Sequence, residues 1–175
     1  YARSMLTCLA GYALHNPKPL SELSKEYLRH GVNVGDVGFV RWDGTFDFLF
    51  NICPSNNGLI NPSKLPDGFS LKTPDHSATR DLDPVPHDTC LFQSPITRTE
   101  SGEYICEGSE GAILELPEGA VQDEAMNVLP FEKLAARYGV QWYDYTMTRG
   151  RKISNGSLYL ITSFTKCSQW GIAVF

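Results

Sequence analysis

The side chains best suited to covalent chemistry stand close together in the middle of the chain. His87, Asp88 and Cys90 supply an imidazole, a carboxylate and a thiol. A cysteine nucleophile needs a thiolate, a nearby base and a hydrogen-bond donor for the oxyanion. Cysteine enzymes do not assemble these groups from so local a spacing on a proline-rich segment. A hydrolase is still one hypothesis, but a weak spacing supports it, and these three residues are its catalytic candidates.

The same segment contains the ligand types of a metal site. Asp81, Asp83 and His87 offer carboxylate oxygens and an imidazole nitrogen, and Asp88 adds another carboxylate. Neither a rigid spacing nor a glycine turn of the kind found in calcium loops accompanies them. A solvated acidic loop explains these residues more simply. The sequence predicts no metal site and no cofactor.

A dense basic cluster, Arg149, Arg151 and Lys152, follows the aromatic residues Trp142 and Tyr145. Such a cluster can hold a phosphate, an anionic lipid head group or an acidic partner, with the aromatic side chains as a rim. The alternative is a solvated turn that balances the dipole at the end of a helix, with both aromatic side chains packed in the core. Anion binding at these residues is the leading site hypothesis.

Residues 35–51, GDVGFVRWDGTFDFLFN, predict a β-hairpin. The Asp-Gly pair at its centre is a strong hairpin signal, and a type I′ turn would place both of these residues at positive φ. Phe46, Phe48 and Phe50 alternate in the second arm, so we expect them to share one buried face of a strand. They indicate a core rather than an aromatic platform for a ligand.

Asp36 and Asp47 are the carboxylates within the two arms of this ribbon. As a catalytic pair they would have to lie close together, with at least one of them removed from water. A carboxylate beside a strand is more often solvated, or caps a neighbouring loop by accepting backbone N–H groups. We predict a structural role for both residues.

The sequence predicts two helices. Apolar residues have helical spacing over residues 20–30, between a serine suited to the N-cap and a glycine suited to the stop. Over residues 130–145 one apolar stripe recurs every three to four positions, and Pro130 suits a first turn. Gly139 lies inside this second helix at a cost of about 1 kcal/mol relative to alanine. A helix that ends at Tyr138 is the alternative.

Short strands account for most of the other apolar residues. Their signals lie at residues 103–107, 111–116, 157–164 and 170–175. Residues 54–95 contain seven of the eleven prolines, which cannot donate to a sheet ladder, so we expect a long irregular loop there. Together these elements predict an α+β fold, a largely antiparallel β-sheet with two packed helices, in a single domain over residues 1–175.

Composition and charge narrow the class of protein. The chain has 175 residues and a net charge of −5, so we expect no nucleic-acid partner, because phosphate binding needs a positive field. It has no apolar run of about 18 residues, so we predict no helical membrane span. Five cysteines are an odd number, and their spacing favours reduced thiols in the cytoplasm over a disulfide scaffold or a zinc module.

Four ordered blocks of the chain resemble one protein family. They are GVNVGDVGFVRWDGTFDFLFNIC, EGAILELPEGA, WYDYTMTRGRK and NGSLYLITSFTKCSQWGIAVF. Together they resemble a family of uncharacterised proteins from mushroom-forming fungi (Agaricomycetes), over most of the chain apart from the proline-rich segment. The resemblance implies that this chain is the N-terminal portion of a longer protein and that the second helix is continuous. It implies no activity.

Three function hypotheses follow from these observations. The leading one is a non-enzymatic recognition or assembly module that binds a protein partner or a second copy of itself, because aromatic residues are abundant and catalytic signatures scarce. The alternative is a membrane-acting, pore-forming-like protein in which strands beyond residue 175 insert. The third is the hydrolase that would use His87, Asp88 or Cys90.

Overall fold

A computed structural model describes residues 1–8, 11–53, 60–71, 79–92 and 95–175. The described residues contain helices and largely antiparallel strands, which confirms the α+β class. They group into two compact units. The first unit comprises Tyr1–His15, Leu82–Gln122 and Thr165–Phe175, and the second comprises Asn16–Asp81 and Asp123–Phe164. A single domain over the whole chain stays a prediction.

The bounds of the elements are as follows. The helices are α1 (Ala2–Met5), α2 (Lys25–His30) and α3 (Leu129–Thr148), and a 3-10 helix covers Leu6–Cys8. The strands in the described residues are β1 (Asp36–Val40), β2 (Phe46–Asn51), β3 (Thr79–Asp81), β4 (Thr89–Phe92), β5 (Ile96–Arg98), β6 (Tyr104–Cys106), β7 (Ala112–Leu116), β8 (Val121–Ala125), β9 (Tyr159–Leu160), β10 (Ser163–Lys166) and β11 (Gly171–Val174).

The helix predicted at residues 20–30 is limited to the six residues of α2. Its start is set by Ser24, whose hydroxyl accepts the N–H of Tyr27 at 3.2 Å and so satisfies a donor of the first turn. Its end is set by Gly31, whose φ of +67° lies in a region that glycine adopts freely. The prediction of a helix beginning near residue 20 is wrong because the capping serine comes later.

Helix α3 confirms the second helix prediction and exceeds it at both ends. Pro130 lies in its first turn, where a missing N–H costs nothing. The helix passes through Gly139 without interruption, so the alternative that ends at Tyr138 is wrong. Phe131 and Trp142, on either side of this glycine in the chain, are both buried in one hydrophobic cluster. Packing of that face outweighs the weak helix propensity of the glycine.

The core of the second unit lies between α3 and a three-stranded antiparallel sheet in the order β2-β1-β9. One extra residue interrupts the pairing of β1 with β2, because Val37 lies opposite Phe50 whereas Gly38 lies opposite Phe48. The two phenylalanines therefore have different neighbours: Phe48 contacts Tyr27 and Phe50 contacts Trp142. The prediction of a shared face holds for Phe46 and Phe48 and is wrong for Phe50, although all three rings are buried as expected.

The strand predicted at residues 157–164 is divided into β9 and β10. Leu160 pairs with Val37 of β1, and the carbonyl of Thr162 then accepts the N–H of Ala125 in β8 at 2.7 Å. The chain changes its hydrogen-bonding neighbour between these two residues, so one straight strand cannot continue. Strands β5 and β8 were not predicted from the sequence.

The first unit is built on β7, which pairs antiparallel with β11 on one side and with β4 on the other. A hairpin of β5 and β6 accompanies this sheet. Among the described residues its buried side chains contain no aromatic ring, unlike those of the second unit. They include Ile96, Ala112, Ile113 and Leu116.

The proline-rich segment at residues 54–95 is not wholly irregular. It contains β3 and β4, and Val85 forms an isolated antiparallel bridge with Ala120. The prediction of an irregular loop is therefore wrong for these parts. Residues 54–59, 72–78 and 93–94, on which the rest of that prediction falls, lie outside the described residues.

Candidate functional site

The hairpin between β1 and β2 presents Trp42 to solvent, with 93% of its surface exposed. The N–H of Gly44 donates to the carbonyl of Arg41 at 3.0 Å, so Trp42 and Asp43 are the central residues of the turn. Gly44 has a φ of +80°, and Asp43 does not have a positive φ. This geometry belongs to a three-residue loop with a glycine bulge. The predicted type I′ turn is wrong, and Trp42 lies at the tip rather than in a strand.

Local interactions fix the backbone of this tip. The N–H of Arg41 donates to the carbonyl of Thr45 at 2.8 Å, and the N–H of Thr45 donates to Oδ1 of Asp43 at 3.0 Å. That second hydrogen bond is the main reason why the pKa of Asp43 lies below its usual value. Arg41 Nε lies 3.7 Å from the other carboxylate oxygen of Asp43. Trp42 is therefore carried by an ordered turn.

Asp36 is completely buried in the second unit and is held by several donors. The Tyr27 hydroxyl donates to its Oδ2 at 3.0 Å, and the backbone N–H of Asn33 donates to the same atom at 2.7 Å. The side-chain amide of Asn51 donates to Oδ1 at 2.7 Å. Burial, followed by the charge of Asp36, raises the pKa of Tyr27 above its usual range, so the phenol stays a donor. Asp36 was expected either to be solvated or to cap a loop, and its bond from the Asn33 N–H is that of a loop cap.

Asp47 forms an ion pair with Arg151 in the same unit. The guanidinium places Nε 3.2 Å from both carboxylate oxygens and Nη2 3.2 Å from Oδ1. Asp47 is only 6% exposed, so the pair is partly removed from water. It joins β2 to the segment that follows α3, which is a structural role as predicted. Asp36 and Asp47 are thus engaged by different partners: Asp36 by Tyr27, Asn33 and Asn51, and Asp47 by Arg151.

The three cations of the basic cluster have different surroundings. Arg151 already pairs with Asp47, while Arg149 and Lys152 are exposed. Arg149 donates to the hydroxyl of Tyr145 at 2.8 Å and lies 5.4 Å from the centroid of its ring. Arg149 also caps the end of α3, where the helix dipole favours a cation and disfavours a bound anion. Of the two exposed cations, Arg149 is thus held by Tyr145 at an unfavourable helix end, and Lys152 lies beyond it in the chain.

The aromatic residues proposed as a rim are part of the core packing instead. Trp142 is 2% exposed, and its ring meets that of Phe50 edge-on with the centroids 5.6 Å apart. The ring of Tyr145 also contacts Phe50, and its hydroxyl donates to the backbone carbonyl of Lys64 at 2.7 Å. Both side chains agree with the alternative in which they pack in the core.

His87, Asp88 and Cys90 lie in the first unit with different surroundings. His87 and Asp88 are exposed, and Asp88 has a φ of +58°. Cys90 Sγ lies 3.1 Å from the hydroxyl of Tyr104, which in turn donates to Glu115 at 2.6 Å. Because the phenol proton goes to the carboxylate, the thiol of Cys90 is the donor in the first contact. The thiol is thus hydrogen-bonded to a phenol rather than to the imidazole a nucleophile would need.

An open cleft of about 540 Å³ lies within the first unit. His87, Glu118, Lys166 and Cys167 contribute polar atoms to its lining, between apolar walls formed by proline and valine side chains. Its volume falls in the range of about 300–1,000 Å³ that is typical of small-molecule sites. Burial raises the pKa of the Cys167 thiol. Asp88 and Cys90 do not line the cleft, so it does not assemble the predicted catalytic residues.

The metal candidates do not form a site. Asp81 lies in β3, where it is exposed and pairs with Asp123 of β8. Within the described ranges, no group of three or more histidine, cysteine, aspartate or glutamate side chains is placed to hold a metal ion. Asp83 and His87 are likewise exposed side chains.

Trp42 is the exposed residue that sequence reasoning missed. As the residue before the predicted Asp-Gly turn, it was expected at the end of the first strand. The sequence did contain a signal for this position. In a two-residue loop Asp43 and Gly44 form the turn, but in a three-residue loop the tryptophan directly before them lies at the tip.

Comparison of the chain with models of protein families, with curated proteins and with solved structures gave no match. The resemblance to a fungal family stays a prediction. Over the residues that are described, α3 and the other helices are too short or too polar to cross a membrane.

Proposed function

We propose that this chain is a non-enzymatic recognition or assembly module in which Trp42 anchors a protein partner. The observation that carries the proposal is the 93% exposure of Trp42 on a turn fixed by hydrogen bonds. Tryptophan is enriched among the interface residues that dominate binding, each contributing about 2 kcal/mol or more. A rigid ring on an ordered turn also loses little conformational entropy when it binds.

The engagement of the reactive side chains supports the non-enzymatic part of the proposal. The carboxylate of Asp36 is occupied by three donors, and that of Asp47 is occupied by Arg151. The thiol of Cys90 donates to Tyr104. A catalytic base or nucleophile has to reach a substrate, whereas these groups stabilise the fold.

A protein partner fits this anchor better than an anionic ligand or a lipid head group. The exposed ring is flanked by Arg41 and Asp43, whose charges compensate each other. The tip therefore offers no net positive field to an anion. We place the module in the cytoplasm as part of the same proposal, on the ground of its five cysteines without paired spacing.

Photo-crosslinking tests this proposal. A benzophenone amino acid replaces Trp42 in one variant and Val140 in a matched control, because Val140 is 74% exposed on α3 of the same unit. We expect discrete crosslinked protein bands from position 42 in an extract of the source cells and none from position 140. The same partner, once identified by mass spectrometry, should bind Trp42→Ser at least about 10-fold more weakly than the unchanged chain.

Two results would count against the proposal. Equal binding of the captured partner by Trp42→Ser and by the unchanged chain would remove Trp42 as its anchor. A blue shift of Trp42 fluorescence on addition of anionic vesicles, with no protein crosslink, would instead favour the membrane-acting alternative. Trp142 is buried but Trp170 is partly exposed, so the shift assigned to Trp42 is the one that is lost in Trp42→Ser.

A further inference from the structure

Strand β11 is an edge strand of the sheet in the first unit, and its hydrogen-bonding pattern shows which groups face outward. Phe175 and Gly111 exchange both of their backbone hydrogen bonds, at 2.9 and 3.2 Å. Bonded and non-bonded pairs alternate along an antiparallel ladder. Gly171 and Ala173 therefore face β7, and the N–H and C=O groups of Ile172 and Val174 point away from it.

These outward groups have no hydrogen-bond partner among the residues that the structure describes. The surrounding sequence at residues 170–175, WGIAVF, has neither a charge nor a proline. Natural edge strands normally carry such residues, or a bulge or a covering loop, to prevent pairing with another chain. Val174 and Phe175 are also 57% and 45% exposed. This edge therefore has the properties of a pairing surface.

We propose that β11 pairs antiparallel with β11 of a second copy of this chain, about a two-fold axis that passes beside Ala173. In that register Ile172 of one copy lies opposite Val174 of the other. Both residues have outward N–H and C=O groups, so each such pair makes two hydrogen bonds and the symmetric contact makes about four. The two sheets join into one continuous sheet of six strands.

The side chains of β11 fit this symmetric register. Ala173 meets its own copy at the axis, in a non-hydrogen-bonded pair whose Cα atoms are about 4.5 Å apart, where a small side chain is needed. Phe175 lies opposite Gly171 of the other copy, so its ring covers a glycine that has no side chain of its own. Ile172 lies opposite Val174, and cross-strand pairs of β-branched residues stabilise sheets.

The same features select a second copy over a different extended segment. The strand has no charged side chain to recognise a charged partner, whereas its own sequence supplies each required complement: small against small, ring against glycine, branched against branched. This inference goes beyond the proposed function, because it is carried by the first unit and does not depend on Trp42 in the second.

Disulfide crosslinking under mild oxidation tests the register. Cysteine at position 173 should link two copies, because the expected Cα separation falls within the range of about 4.4–6.8 Å that disulfides need. The matched control is Val140→Cys, which is exposed on α3 and has the same five native cysteines. We expect Ala173→Cys to form the covalent dimer at least about 10-fold faster than Val140→Cys, with Trp42→Ser making no difference.

Ile172→Pro supplies a second, independent test. The proline removes only an outward N–H, so it should leave the β7 ladder intact and abolish the dimer in sedimentation velocity. Circular dichroism verifies that this variant is folded. Equal crosslinking rates for the two cysteine variants would overturn the proposal even if Ile172→Pro failed to fold. A dimer that persists in folded Ile172→Pro would also overturn it.

Discussion

The edge strands β2 and β11 differ in how the outward backbone groups of particular residues are satisfied. In β2 the side chain of Asn61 closes the edge at Asn51: its oxygen accepts the N–H of Asn51 at 2.6 Å, and its amide donates to the carbonyl of Asn51 at 2.8 Å. In β11 the outward groups of Ile172 and Val174 meet no described residue. An edge completed within the chain favours a stable unit, whereas an open edge favours association.

The hydrophobic cores of the two units that contain β2 and β11 also differ. The cluster of the second unit includes large side chains such as Phe50 and Trp142, together with the buried carboxylate of Asp36 and its donors. The buried residues of the first unit, such as Ala112 and Leu116, are smaller. A small core provides less stabilisation, so the first unit has more to gain from a partner.

Removal of the Asp36 side chain should have the largest effect on stability, and it should act on the second unit, which contains β2. Asp36→Ala leaves the Tyr27 hydroxyl, the Asn33 N–H and the Asn51 amide without their buried acceptor, so we expect the free energy of unfolding to fall by about 3–5 kcal/mol. Urea denaturation measures this change. The control is Asp83→Ala, an exposed acid expected to change stability by less than about 0.5 kcal/mol. A loss of less than about 1 kcal/mol for Asp36→Ala would contradict the structural role of Asp36.

Asn61→Ala should make the β2 edge resemble the β11 edge. It removes two hydrogen bonds to the backbone of Asn51, so we expect a loss of about 1–2 kcal/mol in the free energy of unfolding. Asn155→Ala, in an exposed turn of the same unit, is the matched control and should be nearly neutral. Equal denaturation midpoints for the two variants would show that Asn61 does not close the edge.

Tyr27→Phe removes one of the three donors to Asp36 and should have a distinct signature at high pH. Burial keeps the folded-state pKa of Tyr27 above its ordinary value of 10. Above about pH 10 the unfolded phenol ionises while the folded one keeps its proton, so stability falls as pH rises, by about 1.4 kcal/mol per pH unit. The variant should lack this contribution, so its free energy of unfolding should fall less steeply between pH 10 and 11, an interval of about one unit. Parallel curves for the two proteins would contradict a buried, protonated Tyr27.

The sequence predicted those helices and strands in which apolar residues recur at a regular spacing. The stripe from Phe131 to Tyr145 predicted α3, and the alternating phenylalanines predicted β2. The extra residue in β2 could not be predicted, because it depends on which residue of β1 lies opposite each residue of β2. Once the register shifts, an alternating pattern no longer specifies one face.

The candidate sites were less predictable than the fold, because their properties depend on distant partners. Arg151 belonged to a basic cluster in the sequence, but its pairing with Asp47 joins positions more than 100 residues apart. Cys90 likewise bonds to Tyr104 rather than to His87, three positions earlier in the chain. The hairpin signal was recognised, yet a loop one residue longer than expected moved Trp42 from a strand to the tip.

Amide hydrogen exchange, followed at several protein concentrations, tests most directly whether one edge is closed and the other open for self-association. We expect the amide of Asn51 to be protected at every concentration, because its acceptor belongs to the same chain. The amides of Ile172 and Val174 should exchange rapidly in dilute solution and become protected as the concentration rises. Protection of these two amides that does not change with concentration would contradict an open β11 edge, and exchange that stays rapid throughout would contradict pairing of two copies.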